Sequence, residues 1–205
     1  MLNVVRLPIG VYMTNCYILW QEGNDHCLVI DPADKPEAIL AACQKKNLTI
    51  DAILLTHGHF DHVGGVPGLA KLADCPVYMN EREKTMPESL TNGPLYYTNN
   101  YDEGDTLTIA GMTFTVLATP GHTPGSVCLD FGDHLFTGDT LFARSMGRTD
   151  LEGGSPEQMQ QSLVRLGRLH KEGECPIHPG HSAESTLALE QEYNSYLKKA
   201  LRDAE

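Results

Sequence analysis

The sequence predicts an α/β protein, and three observations carry that prediction. Strand-like runs cluster in both halves of the chain, with helical patterns between them. Ligand-type residues recur in tight turns at the ends of those runs, in the loop positions that a rigid scaffold holds in place. The 205 residues, 41% hydrophobic and 20% charged, suffice for a sizeable core. The pattern is compatible with two sheets packed face to face and helices outside, and on its own it leaves the topology open. We expect one domain over residues 1–205.

Taken in order, residues 3–8 and 14–20 are rich in β-branched and aromatic residues around a turn at Gly10, which predicts a hairpin. Residues 27–30 follow the Gly23-Asn24-Asp25 turn as a third strand, ending in Asp31-Pro32. Ile39, Leu40 and Cys43 give residues 35–46 a helical period, with Lys45 and Lys46 at the end where cations suit the dipole. The strand 51–55 leads into a histidine-rich loop. Leu69 and Leu72 mark a short helix, 76–79 a short strand and 80–86 a further helical stretch. Residues 87–103, rich in Asn, Pro, Gly and Tyr, read as a long loop. Residues 105–109 and 112–118 form a hairpin around Gly111, and 126–131 pairs with 134–137 around Gly132-Asp133. Ser155-Pro156-Glu157 opens a helix with an N-cap, a proline at the first position and an acid in the first turn. The last element is expected as one helix from about 184 to 201, striped by Leu189, Tyr193, Tyr196, Leu197 and Leu201.

Charge and cysteine usage narrow the function. A net charge of −12 argues against a nucleic-acid or anionic-membrane partner. The six cysteines are scattered without a C-x-x-C, which suggests reduced, mostly buried thiols in a cytoplasmic protein. Pro8 interrupts any apolar leader core, and no run reaches the ~20 apolar residues of a membrane helix.

The chemistry concentrates in Thr56-His57-Gly58-His59-Phe60-Asp61-His62. Three imidazoles and a carboxylate so close together can converge on a cation, and neutral nitrogen with carboxylate oxygen suits zinc, iron or manganese. A solvated His-rich turn is the bland alternative. Complementary residues stand downstream: His122 between two Pro-Gly breaks, Asp139 in Phe136-Thr137-Gly138-Asp139-Thr140, and His181 in His178-Pro179-Gly180-His181. Asp31, ending a strand, reads equally as the partner of a metal-bound imidazole or as an Asp-Pro turn. Tyr96, Tyr97 and Tyr101 either line a groove or pack the long loop onto the body. His26, His134, His170 and His178 read as non-ligands. Gly121 and Gly180 are expected to let the chain approach the metal closely.

THGHFDH, TPGHTPGS, FTGDTLF and PGHS, in that order, together with the loop Ser145-Met146-Gly147-Arg148-Thr149-Asp150, resemble the metallo-β-lactamase superfamily. The likeness is strongest to its glyoxalase II-like, short single-domain branch and spans about residues 14–182. It implies an αββα sandwich of two mixed sheets with helices on both outer faces. It implies two divalent ions, zinc first and iron or manganese as alternatives. His57, His59 and His122 would hold one, Asp61, His62 and His181 the other, and Asp139 would bridge them. Asp61 and Asp139 would orient a metal-held hydroxide that attacks an acyl thioester of the S-lactoylglutathione type, with Arg148 and, more weakly, Arg144 as substrate contacts. The alternatives are a lactone or β-lactam hydrolase and a mononuclear-iron persulfide dioxygenase. The expected partner is a small thioester, and the chain a monomer or small homo-oligomer.

Overall fold

A computed structural model describes all of residues 1–205. The first half contains strands β1 (Leu2–Ile9), β2 (Thr14–Gln21), β3 (His26–Ile30), β4 (Thr49–Leu54), β5 (Val77–Met79) and β6 (Asn99–Asn100). They form one six-stranded sheet in sequence order, antiparallel from β1 to β3 and parallel from β3 to β6. Its helices are α1 (Pro36–Gln44), α2 (Phe60–Val63), α3 (Val66–Ala73) and α4 (Glu88–Thr91), with a 3-10 turn over Glu81–Thr85. The second half contributes β7 (Thr106–Ile109), β8 (Met112–Ala118), β9 (Val127–Asp130), β10 (Leu135–Gly138), β13 (Pro176–Pro179) and β14 (Ser185–Thr186). Their order is β14-β13-β10-β9-β8-β7, with only β10 and β13 parallel. A separate two-stranded hairpin pairs β11 (Leu141–Phe142) with β12 (Ser145–Met146). Helices α5 (Pro156–Gly167), α6 (Leu187–Tyr193) and α7 (Ser195–Asp203) complete the chain.

The period of two along each strand sorts the core into three layers. Tyr17, Leu19, Leu28, Ile30, Ala52 and Leu54 face inward and meet Phe114, Val116, Val127, Leu129 and Phe136 of the other sheet. Their sequence neighbours Cys16, Ile18, Cys27, Val29 and Ile53 point outward and pack on Ile39 and Cys43 of α1 and Val66, Leu69 and Ala70 of α3. On the far side, Leu117, Cys128, Leu135 and Ile177 meet Met159, Leu163 and Leu166 of α5 and Leu197 and Ala200 of α7. This is an αββα sandwich of two mixed sheets. It explains why the central strands read as unbroken apolar runs: both of their faces are buried.

Two expectations change. The single helix over 184–201 is broken. Asn194 adopts extended backbone (φ −73°, ψ 112°) and caps α7 by accepting from the N–H groups of Tyr196 and Leu197. Its amide donates to the carbonyls of Phe142 and Ser145, tying the break to the β11–β12 hairpin. The break re-phases the pattern, so Leu189, Tyr193 and Tyr196 of the expected stripe are exposed, while Leu187, Glu190, Leu197 and Ala200 are buried. The long loop also carries structure. Besides α4 and β6 it contains Tyr101, 1% exposed, whose hydroxyl donates to the Leu55 carbonyl. No helix is long and apolar enough to cross a membrane.

Candidate metal centre

The ligand-type residues all leave the C-terminal ends of strands. His57, His59, Asp61 and His62 follow β4, His122 follows β8, Asp139 follows β10 and His181 follows β13. The structure brings all seven together from both sheets. His57, His59 and His122 form one group, with His59 Nδ1 2.9 Å from His122 Nε2. Asp61, His62 and His181 form a second, with His181 Nε2 3.3 Å from His62 Nε2 and 3.2 Å from Asp61 Oδ2. Asp139 lies between them: Oδ2 is 3.4 Å from His122 Nε2 and 3.5 Å from His181 Nε2, and Oδ1 is 3.4 Å from His62 Nε2.

Outer partners decide which nitrogens face inward. His122 Nδ1 donates to the Arg148 carbonyl (2.7 Å), and His62 Nδ1 donates to Asp31 Oδ2 (2.9 Å). His57 Nδ1 meets Thr56 Oγ1 at 3.1 Å, and that hydroxyl donates to Asp31 Oδ2 at 2.6 Å. Each imidazole so held leaves Nε2 with a free lone pair, the arrangement that metal-binding histidines use. Three buried polar atoms have no hydrogen-bond partner in the fold: His57 Nε2, His59 Nε2 and Asp139 Oδ1. Buried polar atoms are rarely left so. A nitrogen–carboxylate donor set with His57 Nε2 and Asp139 Oδ1 left open fits a pair of divalent cations.

The charge state is consistent with that fit. Burial and the neighbouring imidazoles hold His57 far below its ordinary pKa, and burial beside His122 brings His59 down to about 4. Burial also lowers His122. Burial alone would raise Asp139, but His62, His122 and His181 outweigh it and hold the carboxyl well below the usual range. Asp61 is lowered by His181 and His62 in the same way, against its burial. His57, His59 and His122 are therefore neutral and the two carboxylates ionised at neutral pH, the forms that bind metal. His62 goes the other way: against its burial, Asp139 and Asp31 raise its pKa well above the ordinary value, so here a proton holds the place that a cation would take.

The other sequence candidates divide. Asp31 is buried with φ 48° and accepts from the Thr56 N–H (2.8 Å) as well as from Thr56 Oγ1 and His62, so it orients both ends of the histidine loop. Arg148 lines the pocket, but its guanidinium makes a bidentate pair with Asp150 (2.7 and 2.8 Å). Arg144 is not among the lining residues. It stands at φ 59° at the turn of the β11–β12 hairpin and pairs with buried Glu190, which also accepts from Ser185 and Asn194. The structure thus places Arg144, expected as a weak substrate contact, against Glu190, a carboxylate that needs a cation once buried. His178 bonds His134 Nδ1 (2.9 Å) and Glu184 (2.5 Å) and is no ligand. His26 is exposed on Asp51, and His170 is exposed. Tyr96 is exposed, and Tyr97 stacks under the Lys84 ammonium. Gly180 does serve close approach: a Cβ there would stand 2.3 Å from Asp139 Oδ1 and 2.6 Å from His62 Cε1. Gly121 does not. At φ +136° it abuts the backbone of Met159, and its role is to seat α5.

Sequence reasoning missed Glu83. This carboxylate, 0% exposed on the 3-10 turn, accepts from the Gly58 N–H (2.6 Å), the Gly125 N–H (2.6 Å) and Thr123 Oγ1 (2.7 Å). It thereby staples the loop of His57 and His59 to the loop of His122. Also missed was the grip of β2 on the His181 turn. Asn15 Nδ2 donates to the carbonyls of Pro179 (2.9 Å) and Ser182 (3.0 Å), and the Tyr17 hydroxyl donates to Pro179 (2.8 Å). The only local signal was a polar Thr14-Asn15 pair opening an apolar strand.

Above the cluster lies a cavity of about 530 Å³, walled by Tyr12, Phe60, Leu90, Phe142, Met146 and Leu151, with Arg148 at its edge.

A family model described as the metallo-β-lactamase superfamily matches residues 9–181. Over 172 residues the chain is 38% identical to hydroxyacylglutathione hydrolase of Yersinia pestis, covering 83% of this chain and 63% of that enzyme. The crystal structure of the BLEG-1 B3 metallo-β-lactamase superposes with a TM-score of 0.86 at 32% identity, covering 95% of this chain and 99% of that one. TTHA1623 in a di-iron-bound form gives 0.79 at 36% identity, covering 94% and 99%. Sandwich, metal cluster and sequence likeness agree: the chain belongs to the metallo-β-lactamase superfamily of metal-dependent hydrolases.

Proposed function

We propose that the chain is a dinuclear metal-dependent thioesterase that cleaves a small acyl thioester to an acid and a thiol. The observation that carries this reading is the make-up of the cavity. Outside the ligands, only Tyr12 and Arg148 among its lining residues can titrate, and Arg148 is held by Asp150. The chain therefore offers no separate carboxyl or imidazole to protonate a leaving group. A thiolate, with an intrinsic pKa near ~8.5, departs without one, whereas the amine of a β-lactam or the alkoxide of a lactone would depend on a cation or on metal-held water for that help. Two bound cations would polarise a carbonyl oxygen and bring the pKa of water from about 15.7 towards about 7.

The chain's own residues do the positioning. His57, His59 and His122 would hold one cation and Asp61, His62 and His181 the other, with Asp139 placed between the two groups. Asp31, Thr56 and the Arg148 carbonyl fix the imidazole tautomers, and the apolar walls exclude water from the acyl group. The similarity to a hydroxyacylglutathione hydrolase supports thioester chemistry. The second ligand group is as closely assembled as the first, which supports two ions over a mononuclear iron site. Zinc suits the donors, and the di-iron relative makes iron the second choice.

Metal analysis of the purified protein, with a panel of thioesters, a lactone and a persulfide, tests the reading. About two metal ions per chain and thioester turnover are expected. His57→Ala and Asp139→Ala are expected to lose metal and turnover together. Turnover that survives without metal, or oxygen consumption with one iron per chain, refutes it.

A further inference from the structure

Ten large apolar side chains are exposed in this chain; two of them, Tyr12 and Phe60, line the metal cavity, and Val11 and Met13 flank Tyr12 at the same hairpin tip. Exposed apolar side chains scattered singly need no explanation, whereas a contiguous group at a cleft marks a binding surface. The tip of the β1–β2 hairpin is built to present them. Gly10 and Met13 both take positive φ (76° and 53°), and the Met13 N–H closes the turn on the Gly10 carbonyl. Tyr12, 60% exposed, then meets Phe60 edge to face with centroids 5.4 Å apart. Phe60 sits between His59 and Asp61 in sequence, so this aromatic pair is held beside the ligand side chains. Phe142 stands edge-on to His181 at 6.1 Å, and Leu90, Met146 and Leu151 complete the lining.

The polar side of the cavity is sparse. Outside the ligands Arg148 is its one basic residue, and Asp150 takes up Nε and Nη2 of the guanidinium. A carrier with two carboxylates would have to compete with Asp150 for that single guanidinium.

Building on the thioesterase reading, we propose that the Tyr12–Phe60 shelf selects thioesters of apolar acyl groups, and that the site gains nothing from a dicarboxylate thiol carrier such as glutathione. Full burial of a methylene corresponds to about a fourfold change in an equilibrium or rate constant, and a groove open on one side to about twofold.

The test uses the metal-loaded protein with acetyl, butanoyl and hexanoyl thioesters on two carriers, N-acetylcysteamine and glutathione. The expected result is a rise in kcat/KM of about two- to fourfold per methylene on either carrier. The hexanoyl-to-acetyl ratio is expected to fall at least fivefold in Tyr12→Ser, a change at an exposed hairpin tip that the fold tolerates. A second readout needs no turnover: calorimetric binding of the S-methyl and S-hexyl thioethers of N-acetylcysteamine to wild type and Tyr12→Ser. A flat chain-length dependence, or a glutathione carrier preferred tenfold or more, overturns the proposal and leaves the thioesterase reading intact. If no thioester is cleaved, the thioesterase reading falls and thioether binding alone decides. A hexyl preference lost in Tyr12→Ser then sustains the apolar shelf, and equal binding of the two thioethers overturns it.

Discussion

Replacing Glu83 with Gln tests whether the metal loops are held by one buried carboxylate. Oε1 accepts from the Gly125 N–H and Thr123 Oγ1, and Oε2 accepts from the Gly58 N–H. An amide has one acceptor oxygen, so either orientation points an NH2 group at a backbone N–H. At least one hydrogen bond to a charged acceptor is lost, each worth about 1.5–3 kcal/mol, and a buried N–H is left unpaired. Part of this is offset, because burial already disfavours the ionised form and raises the Glu83 pKa against those three hydrogen bonds. A net loss of about 2 kcal/mol is expected, or roughly 4–8 °C in Tm for a chain of this size. Neighbouring chain cannot fill in. A Cβ on Gly58 would already lie 2.9 Å from Oε2, and one on Gly125 2.7 Å from Oε1. Because the loops carry His57, His59 and His122, metal affinity should fall about 10- to 100-fold, as for other supports of ligand residues. Thermal unfolding and chelator-competition titration read the two effects separately, and Glu83→Asp should recover part of each. A Gln variant with wild-type Tm and wild-type metal affinity would show that the loops do not depend on this residue.

Three further outcomes are expected. Asp31→Asn should weaken metal binding about 10- to 100-fold, because His62 Nδ1 and Thr56 lose a charged acceptor; competition titration measures it. Gly180→Ala should cut metal content sharply, since its Cβ would meet Asp139 Oδ1 at 2.3 Å, and elemental analysis of folded protein would show it. Glu184 has its pKa lowered from 4.5 by the His178 hydrogen bond, against its partial burial. A depressed folded-state pKa stabilises above about 4.5 and loses that contribution as pH falls through the folded value. The Tm gap between wild type and Glu184→Gln should therefore be open at pH 6 and close towards pH 3.

What could be read from the residues was the chemistry that announces itself locally. His57, His59, Asp61 and His62 share one short loop, and His122, Asp139 and His181 each follow a strand-like run, so their side-chain types and spacing were enough. The layering was half legible. Continuous apolar runs such as Cys27 to Ile30 marked strands, but the burial of both their faces, and against what, came only with the fold. Glu83 was invisible because its partners lie 25 and 42 residues away, and nothing in Asn80 to Thr85 marks it. The place of Arg144 was not legible either, because its partner Glu190 lies 46 residues on. The break at Asn194 escaped for a related reason. The apolar period runs through it, and the extended Asn194 is held by donating to carbonyls of a hairpin 52 and 49 residues away, which no local pattern shows.

The division of ligands between the two sheets has a topological consequence. His57, His59, Asp61 and His62 all precede the connection near residues 101–105, and His122, Asp139 and His181 all follow it. Neither half carries a full set for either ion, so each cation would cross-link two portions of chain joined covalently only at that one crossing. A protein nicked there would owe its cohesion to the inter-sheet apolar seam, to the hydrogen bonds of Asn15, Tyr17 and Glu83 across it and to the ions together, and would come apart most readily in a chelating buffer.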